Sequence, residues 1–377
     1  MNFAKAALFA SAPALFLAAC SEPAPGGATQ TAAQTAPVAA ADQPLPTPGI
    51  YPAAFEVPSV VASASPLALS VDKAAWVSAP ATPKAKRDML IRTQVLLSRA
   101  HFSPGVIDGE DGGNMRNAVG AFEAARGLPE DGLMDEQVWA ALADDTGPVM
   151  TDYTITTDDV KGPFTLTIPK KYEDMAKLER LGFMNSVELL AEKFHMDEAL
   201  LKALNPEADF AVAGTKIVVA APGAEKLPGA VARIDVDKVK KQVRAYGADG
   251  KLLASYPATV GSSAMPTPAG EWAVNTVAPN PTWTYDPGRL NFGDKSAGKQ
   301  TIKAGPNNPV GAVWIDLTKD TYGIHGAPDP RLVGKTASHG CVRLTNCEVR
   351  QLSQAVSKAT KVVFLGADAK PAAQTKT

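Results

Sequence analysis

The sequence predicts a multi-domain α+β protein, and three observations support that fold class. The chain has 377 residues, which exceeds one ordinary domain and suits two or three that each bury a core. Apolar residues recur every three or four positions between Pro66 and Thr146, which predicts helices. From Ala230 apolar and polar residues alternate, which predicts strands. The predicted segments are a leader (1–20), a disordered tether (21–65), a helical domain (66–149), an α/β module (150–222), a β-rich domain (230–366) and a disordered tail (367–377).

Residues 1–20 have the pattern of an export signal. Lys5 precedes an apolar run of about a dozen residues, shorter than the roughly 20 that a spanning helix needs. The end of the run, 17–20, resembles the lipobox of bacterial lipoproteins, which implies lipidation of Cys20. Ser21 is typical of lipoproteins sorted to the outer membrane. We therefore expect an exported, periplasmic protein that contacts the outer membrane through a lipid anchor; the alternative is an ordinary signal peptide.

The segment 21–65 is rich in Ala, Pro and Thr, has few charges and shows no periodicity, which predicts a disordered tether. The formal net charge is −2 and the pI is about 6.1. A chain with this balance has no bulk attraction for polyanions, so we expect no nucleic-acid partner.

The helical segment 66–149 carries Gly/Asp-rich turns between its apolar faces. It resembles a small three-helix peptidoglycan-binding domain, and the matching words lie at 94–97, 105–109, 118–123 and 127–132. The resemblance implies that peptidoglycan is a partner.

The segment 150–222 reads as helix, helix, turn and strand. An Asn205-Pro206 stop follows the second helix, and a strand is predicted at 214–219. This order resembles a LysM-type module, which implies glycan binding. A purely structural spacer is the alternative.

The segment 230–366 is predicted to be β-sandwich-like, because turn-rich stretches separate its short strands. A capping box of Thr345 and Glu348 opens the one predicted helix, at 347–357. The loop from Pro279 to Pro309 is long and aromatic, as lids and binding loops usually are.

The sequence His325-Gly326, followed by Ser338-His339-Gly340-Cys341, combines a thiol with imidazoles and glycines. A thiol becomes an effective nucleophile when an imidazole takes its proton, so this combination indicates acyl transfer. Because His325 and Cys341 both lie next to predicted strand ends, adjacent strands are expected to bring them together.

The same words resemble the L,D-transpeptidases of bacterial cell walls, which have a YkuD-type catalytic domain. The resemblance implies that Cys341 is the nucleophile, that His325 is its base and that the carbonyl of Gly326 orients His325. It also implies that His339 shapes the site and that the amides of Gly340 and Cys341 help to form an oxyanion hole. The expected substrate-binding residues are Arg343, Ser338 and Tyr322.

The implied reaction acts on a peptidoglycan tetrapeptide stem: its terminal D-alanine is expelled and the remaining acyl group is transferred through a thioester, with no metal or cofactor. The acyl acceptor is a second stem, a free D-amino acid or a protein, including an outer-membrane protein. The alternatives are a Cys/His cell-wall peptidase, an L,D-carboxypeptidase and a non-catalytic peptidoglycan-binding lipoprotein. Papain-like peptidases place Cys before His, the reverse of the order here. Cys341 and Cys347 are expected to be free thiols, because a disulfide would disable the nucleophile; a redox switch between them is the alternative.

Overall fold

The computed structural model describes residues 62–262, 267, 269–288 and 295–366. The predicted leader, Cys20, nearly all of the tether and the tail lie outside these residues. Within the described ranges, none of the helices combines the length and the apolarity that crossing a bilayer requires.

The helical region begins at Pro66. Prolines occupy the first turns of its first two helices, where no amide partner is needed. The third helix ends at Gly127, whose φ of +69° is the left-handed conformation that glycine adopts most easily. The helices are α1 (Pro66–Asp72), α2 (Pro83–Arg99), α3 (Gly113–Arg126) and α4 (Glu136–Leu142).

The middle region follows the predicted order of helix, helix and strand, with an opening strand that pairs with the closing one. The two strands are antiparallel, with Met150 opposite Ala220. The elements are β1 (Met150–Thr154), α5 (Thr157–Lys161), α6 (Tyr172–Met175), α7 (Ser186–Lys193), α8 (Glu198–Leu204) and β2 (Lys216–Ala220).

One hydrophobic core runs through the helical and middle regions. It contains Phe122 of α3 together with Leu190 of α7, and both side chains are fully buried. The backbones also meet, since the amide of Ile107 donates to the carbonyl of His195 at 2.8 Å. The two regions therefore stabilise each other.

Within its described residues the C-terminal domain contains ten strands and one α-helix. Two strands have the bounds that the alternating pattern predicts, 242–246 and 252–257, and the capping box of Thr345 and Glu348 is present. The elements are β3 (Arg233–Asp237), β4 (Gln242–Tyr246), β5 (Leu252–Pro257), β6 (Gly270–Pro279), β7 (Trp283–Tyr285), β8 (Gln300–Ile302), β9 (Val313–Leu317), β10 (Gly323–His325), β11 (Val342–Arg343), α9 (Asn346–Ala355) and β12 (Lys361–Leu365).

The predicted β-sandwich is wrong, because the main strands form one mixed sheet and not two packed sheets. Eight strands run in the order β11-β10-β9-β6-β12-β3-β4-β5. Strand β6 joins the two halves: its first residues pair with β12 and its last with β9, with an irregularity between Val274 and Thr276. Such an irregularity bends a strand, and both halves contribute to one core. The sheet forms a half-barrel, and α9 packs against it through Val349 and Leu352.

The described parts of the 279–309 loop form a hairpin of β7 and β8. The hairpin packs against α6, with the ring of Tyr172 at 4.9 Å from that of Trp283 and at 4.6 Å from that of Tyr285. The described part of this predicted lid or binding loop is thus held by the middle region.

Candidate active site

Strands β10 and β11 place the motif residues on one face of the sheet. They pair in parallel, with Ile324 opposite Val342 and His325 opposite Arg343. Side chains alternate along a strand. Ile324 and Val342 therefore point into the core, where both are buried. The side chains of His325, Arg343 and Cys341 share the other face.

The imidazole of His325 is held by a carbonyl group and by an aromatic ring. Its Nδ1 lies 2.7 Å from the carbonyl oxygen of Gly326, and its ring stacks on that of Trp314 with centroids 5.2 Å apart. A carbonyl oxygen only accepts, so Nδ1 carries the proton and Nε2 is left as a base. The side chain is 3% exposed, which protects this arrangement from water.

Burial keeps both members of the pair neutral. It lowers the pKa of His325 to about 3; the charge of Arg343 adds to this effect, while the carbonyls of Gly326 and Val310 oppose it. Burial also raises the pKa of the Cys341 thiol, against the opposing amide of Gly323 and the charge of Arg343. The resting site therefore holds a thiol and a neutral imidazole, which suits general-base catalysis.

The low pKa of His325 predicts a loss of stability in acid. In the unfolded chain the imidazole binds a proton below its ordinary pKa of 6.5, whereas in the folded chain it does so only near pH 3. The contribution of His325 to the free energy of unfolding is therefore fully present above pH 6.5 and decreases as the pH falls. The decrease is about 2 kcal/mol at pH 5.

Guanidinium unfolding at pH 7.5 and pH 5 measures this loss. In His325→Gln the difference between the two pH values is expected to shrink by about 2 kcal/mol. Burial lowers the pKa of His195 to about 4, and the charge of Arg350 adds to this effect. His195 is present in both proteins, so its effect on the pH dependence cancels in the comparison. Equal pH dependence in the two proteins would contradict the low pKa of His325.

Cys341 is partly buried just before β11. Its Sγ lies 3.8 Å from the carbonyl oxygen of Thr321, beside the amide of Gly323. Gly323 must be glycine here, since a Cβ would come closer than 3.0 Å to the ring of Trp314. Because Gly323 has no side chain, the indole of Trp314 has room to stack on the imidazole of His325.

The turn before Cys341 is held by Ser338. Its hydroxyl donates to the carbonyl of Cys341 at 2.6 Å, and it accepts from the amide of Gly340 at 3.1 Å. Gly340 has φ +126°, which favours glycine, and its Cα faces the ring of Tyr322. The hydroxyl of Ser338 and the amide of Gly340, which were expected to contact the substrate and the oxyanion, are therefore used inside the turn.

The guanidinium of Arg343 lies at the centre of the site. Its charge lowers the pKa values of Cys341, His325 and His339 and acts on Tyr172. Its buried Nε has no hydrogen-bond partner within the part of the chain that the structure describes. A half-buried guanidinium of this kind is suited to receive an anion.

Comparison with known proteins identifies the family. The family model of the L,D-transpeptidase catalytic domain matches residues 231–364, and that of a peptidoglycan-binding domain matches residues 87–142. A Bacillus licheniformis protein named as an L,D-transpeptidase, YkuD, is 30% identical over 179 residues, which are 47% of this chain and 92% of that protein. This chain belongs to the L,D-transpeptidase family.

Other relatives carry the same family name. The Bacillus subtilis YkuD is 26% identical over 48% of this chain and 93% of its own length, and the Escherichia coli YbiS is 26% identical over 49% and 61%. A solved L,D-transpeptidase of Mycobacterium smegmatis is 19% identical, with a TM-score of 0.29, and covers 40% of this chain and 65% of its own.

The L,D-transpeptidase domain thus brings together most of the predicted site residues. His339 is exposed on the turn, and its pKa is lowered by partial burial, with Arg343 adding. The sequence does not predict Tyr172 as a site residue. Burial raises the pKa of its phenol, and the charge of Arg343 opposes that rise. The only sequence signal for Tyr172 was an aromatic residue in a stretch without regular pattern, which does not distinguish it from other surface residues.

Cys347 lies apart from this chemistry. Both cysteines in the described residues are free, as expected. Burial raises the pKa of the Cys347 thiol to about 12, and its Sγ donates to the carbonyl of Glu192 at 3.2 Å. Such a thiol is a poor nucleophile at neutral pH.

Proposed function

We propose that this L,D-transpeptidase acts on peptidoglycan tetrapeptide stems, releases the terminal D-alanine and transfers the remaining acyl group through a thioester on Cys341. The observation that carries the proposal is the contact of His325 Nδ1 with the carbonyl of Gly326, which places the proton on Nδ1 and leaves Nε2 as the basic nitrogen of a side chain that shares its face with Cys341. A base held in one tautomer beside a thiol is what nucleophilic catalysis requires.

The reaction has two balanced halves. In the first, Cys341 Sγ forms a bond to the carbonyl carbon of the third stem residue, and the bond to the terminal D-alanine breaks. His325 takes the thiol proton and gives it to the leaving amine. In the second, an acceptor amine attacks the thioester and passes a proton to His325, which returns it to the sulfur.

The oxyanion that forms in each half needs donors near Cys341. The amide of Gly340 already donates to the hydroxyl of Ser338, so we assign the hydrogen bond to the oxyanion to the amide of Cys341. The ring of Tyr322 lies over the same turn. Donors of this kind are worth more in a buried site than in water.

We assign Arg343 to a carboxylate of the donor stem. Replacing it with Gln is expected to raise KM and lower kcat/KM by about 10- to 100-fold, because a charge-assisted hydrogen bond is lost. The pKa values of His325 and Cys341 are expected to rise, since the charge of Arg343 lowers both. Steady-state kinetics against pH measure both effects.

Arg126→Gln is the matched control for Arg343→Gln. Arg126 lies in the last turn of α3 over the ring of Phe122, so its loss removes a positive charge without touching the site. An unchanged KM in Arg343→Gln, or an equal change in the control, would refute the assignment.

The proposed acceptor is the side-chain amine of a second stem, which gives a cross-link. A protein lysine can attack the same thioester, which attaches the protein to the wall. Attack by water gives carboxypeptidase activity. Incubation with tetrapeptide muropeptides, with and without a lysine peptide, separates these products by mass. Loss of D-alanine with a dimer supports cross-linking. Absence of both products would refute the function.

The proposal extends to the rest of the chain. It places a lipid anchor on Cys20, a tether at 21–65, and glycan binding in the LysM-like module at 150–222. In that module Asn185, Pro206 and Phe210 line an open groove. Mass analysis of the N-terminal peptide from membranes tests the anchor, and sedimentation with insoluble peptidoglycan tests the module.

A further inference from the structure

The 305–312 loop, which joins β8 to β9, forms one wall around the imidazole of His325. The carbonyl of Val310 is within hydrogen-bonding reach of the ring. Gly311 packs so closely on Gly326 that a Cβ there would come nearer than 3.0 Å to the Gly326 backbone. Since the carbonyl of Gly326 orients His325, the position of this loop determines where the base is held.

The middle region holds the outer side of the same loop. The amide of Asn307 donates to the carbonyl of Leu181 at 2.9 Å. The side-chain amide of Asn307 donates to the carbonyl of Gly182 and to Glu188 Oε1, each at 2.9 Å. The loop is therefore fixed between the middle region and the catalytic residues.

Asn346, at the start of α9, connects the two sides. Its Nδ2 donates to Glu192 Oε2 at 3.1 Å and to the carbonyl of Pro306 at 3.2 Å. Its Oδ1 accepts from the amide of Ala312 at 2.8 Å and lies against the Cα of Gly326. The side chain is fully buried, so no water competes for these bonds.

We infer that Glu192 of α7 is a positioning residue for His325, acting through Asn346 on the 305–312 loop and on Gly326. The inference rests on the proposed role of His325 as the base. Glu192 is 8% exposed, and in the described residues its Oε2 meets Asn346 while its Oε1 has no partner. Burial of a carboxylate costs stability. A variant with an apolar side chain of the same size at this position is therefore expected to fold at least as readily as the wild type.

Two substitutions of Glu192 separate the effect of its acceptor from that of its charge. Glu192→Met keeps the volume and removes the acceptor for Asn346, whereas Glu192→Gln keeps an acceptor and removes the charge. Asp159→Asn is the matched control, because Asp159 is also buried in the middle region but, among the residues that the structure describes, bonds to Tyr153, Thr156 and Lys193 of that region.

The experiment compares these three variants with the wild type in three measurements. They are kcat and KM with a tetrapeptide donor, the rate at which iodoacetamide alkylates Cys341, located by peptide mass, and the imidazole nitrogen spectrum of ¹⁵N-labelled protein. Glu192→Met is expected to lower kcat and the alkylation rate by about 10- to 100-fold, the range for a misplaced catalytic group, with KM unchanged. His325 is also expected to lose its single tautomer.

Glu192→Gln is expected to restore most of the alkylation rate, and Asp159→Asn to match the wild type. A wild-type alkylation rate and tautomer in Glu192→Met, or the same losses in Asp159→Asn, would overturn the inference. Alkylation needs no peptidoglycan. A wild type that fails to transfer acyl groups would therefore refute the proposed reaction, while a slower alkylation in Glu192→Met would still support the positioning role.

Discussion

Replacement of Cys341 by alanine is expected to abolish D-alanine release and dimer formation, a loss of at least about 10⁴-fold. No other thiol in the described residues lies on the face that His325 shares, since Cys347 sits at the start of α9 against Glu192. The amount of D-alanine and of dimer formed from tetrapeptide muropeptides measures the loss.

Cys347→Ser is the control for this prediction. The change keeps a donor to the carbonyl of Glu192 and removes the second thiol. Turnover close to that of the wild type is expected. Residual turnover in Cys341→Ala together with a loss in Cys347→Ser would reverse the assignment of the nucleophile.

Replacement of Gly326 by alanine is expected to damage both stability and catalysis. A Cβ at this position would lie closer than 3.0 Å to Asn346 Oδ1, a separation that real Cβ atoms do not show, and 3.0 Å from the amide nitrogen of Ala312. Relief of that contact must shift the buried Asn346 side chain or the Gly326 backbone, whose carbonyl holds His325. We expect the free energy of unfolding to fall by about 1–3 kcal/mol and kcat by about 100-fold.

Gly113→Ala is the control for Gly326→Ala. Gly113 begins α3, and a Cβ there meets nothing within 4 Å. Alanine favours a helix over glycine, so stability is expected to stay equal or to rise. Guanidinium unfolding and turnover of both variants test the pair, and a Gly326→Ala enzyme with wild-type kcat would contradict the role of the Gly326 carbonyl.

Local chemistry made much of the C-terminal domain predictable. Strands β4 and β5 follow from alternation on either side of an Asp-Gly turn, and α9 follows from its capping box. His325 and Cys341 were recognisable because thiol, imidazole and glycine occur together in a short motif. Each of these signals lies within a short stretch of the chain, so no knowledge of the tertiary structure was needed.

Long-range contacts were not predictable from the sequence. The bend of β6 depends on the different partners of its two ends, and alternation within one strand carries no information on partners. The approach of Tyr172 to Arg343 depends on the packing of α6 against the β7–β8 hairpin. The use of Ser338 inside the turn is a short-range contact, but it depends on the backbone geometry of the turn, which the residue types alone do not give.

The mass of the enzyme during turnover tests the central claim most directly. The wild type is incubated with a tetrapeptide donor without an acceptor amine, quenched in acid and mapped by peptide mass spectrometry. The expected result is one acyl group, equal to the donor minus D-alanine, on the peptide that contains Cys341. Release of D-alanine from an enzyme that stays unmodified, or an acyl group on Cys347, would contradict the thioester mechanism.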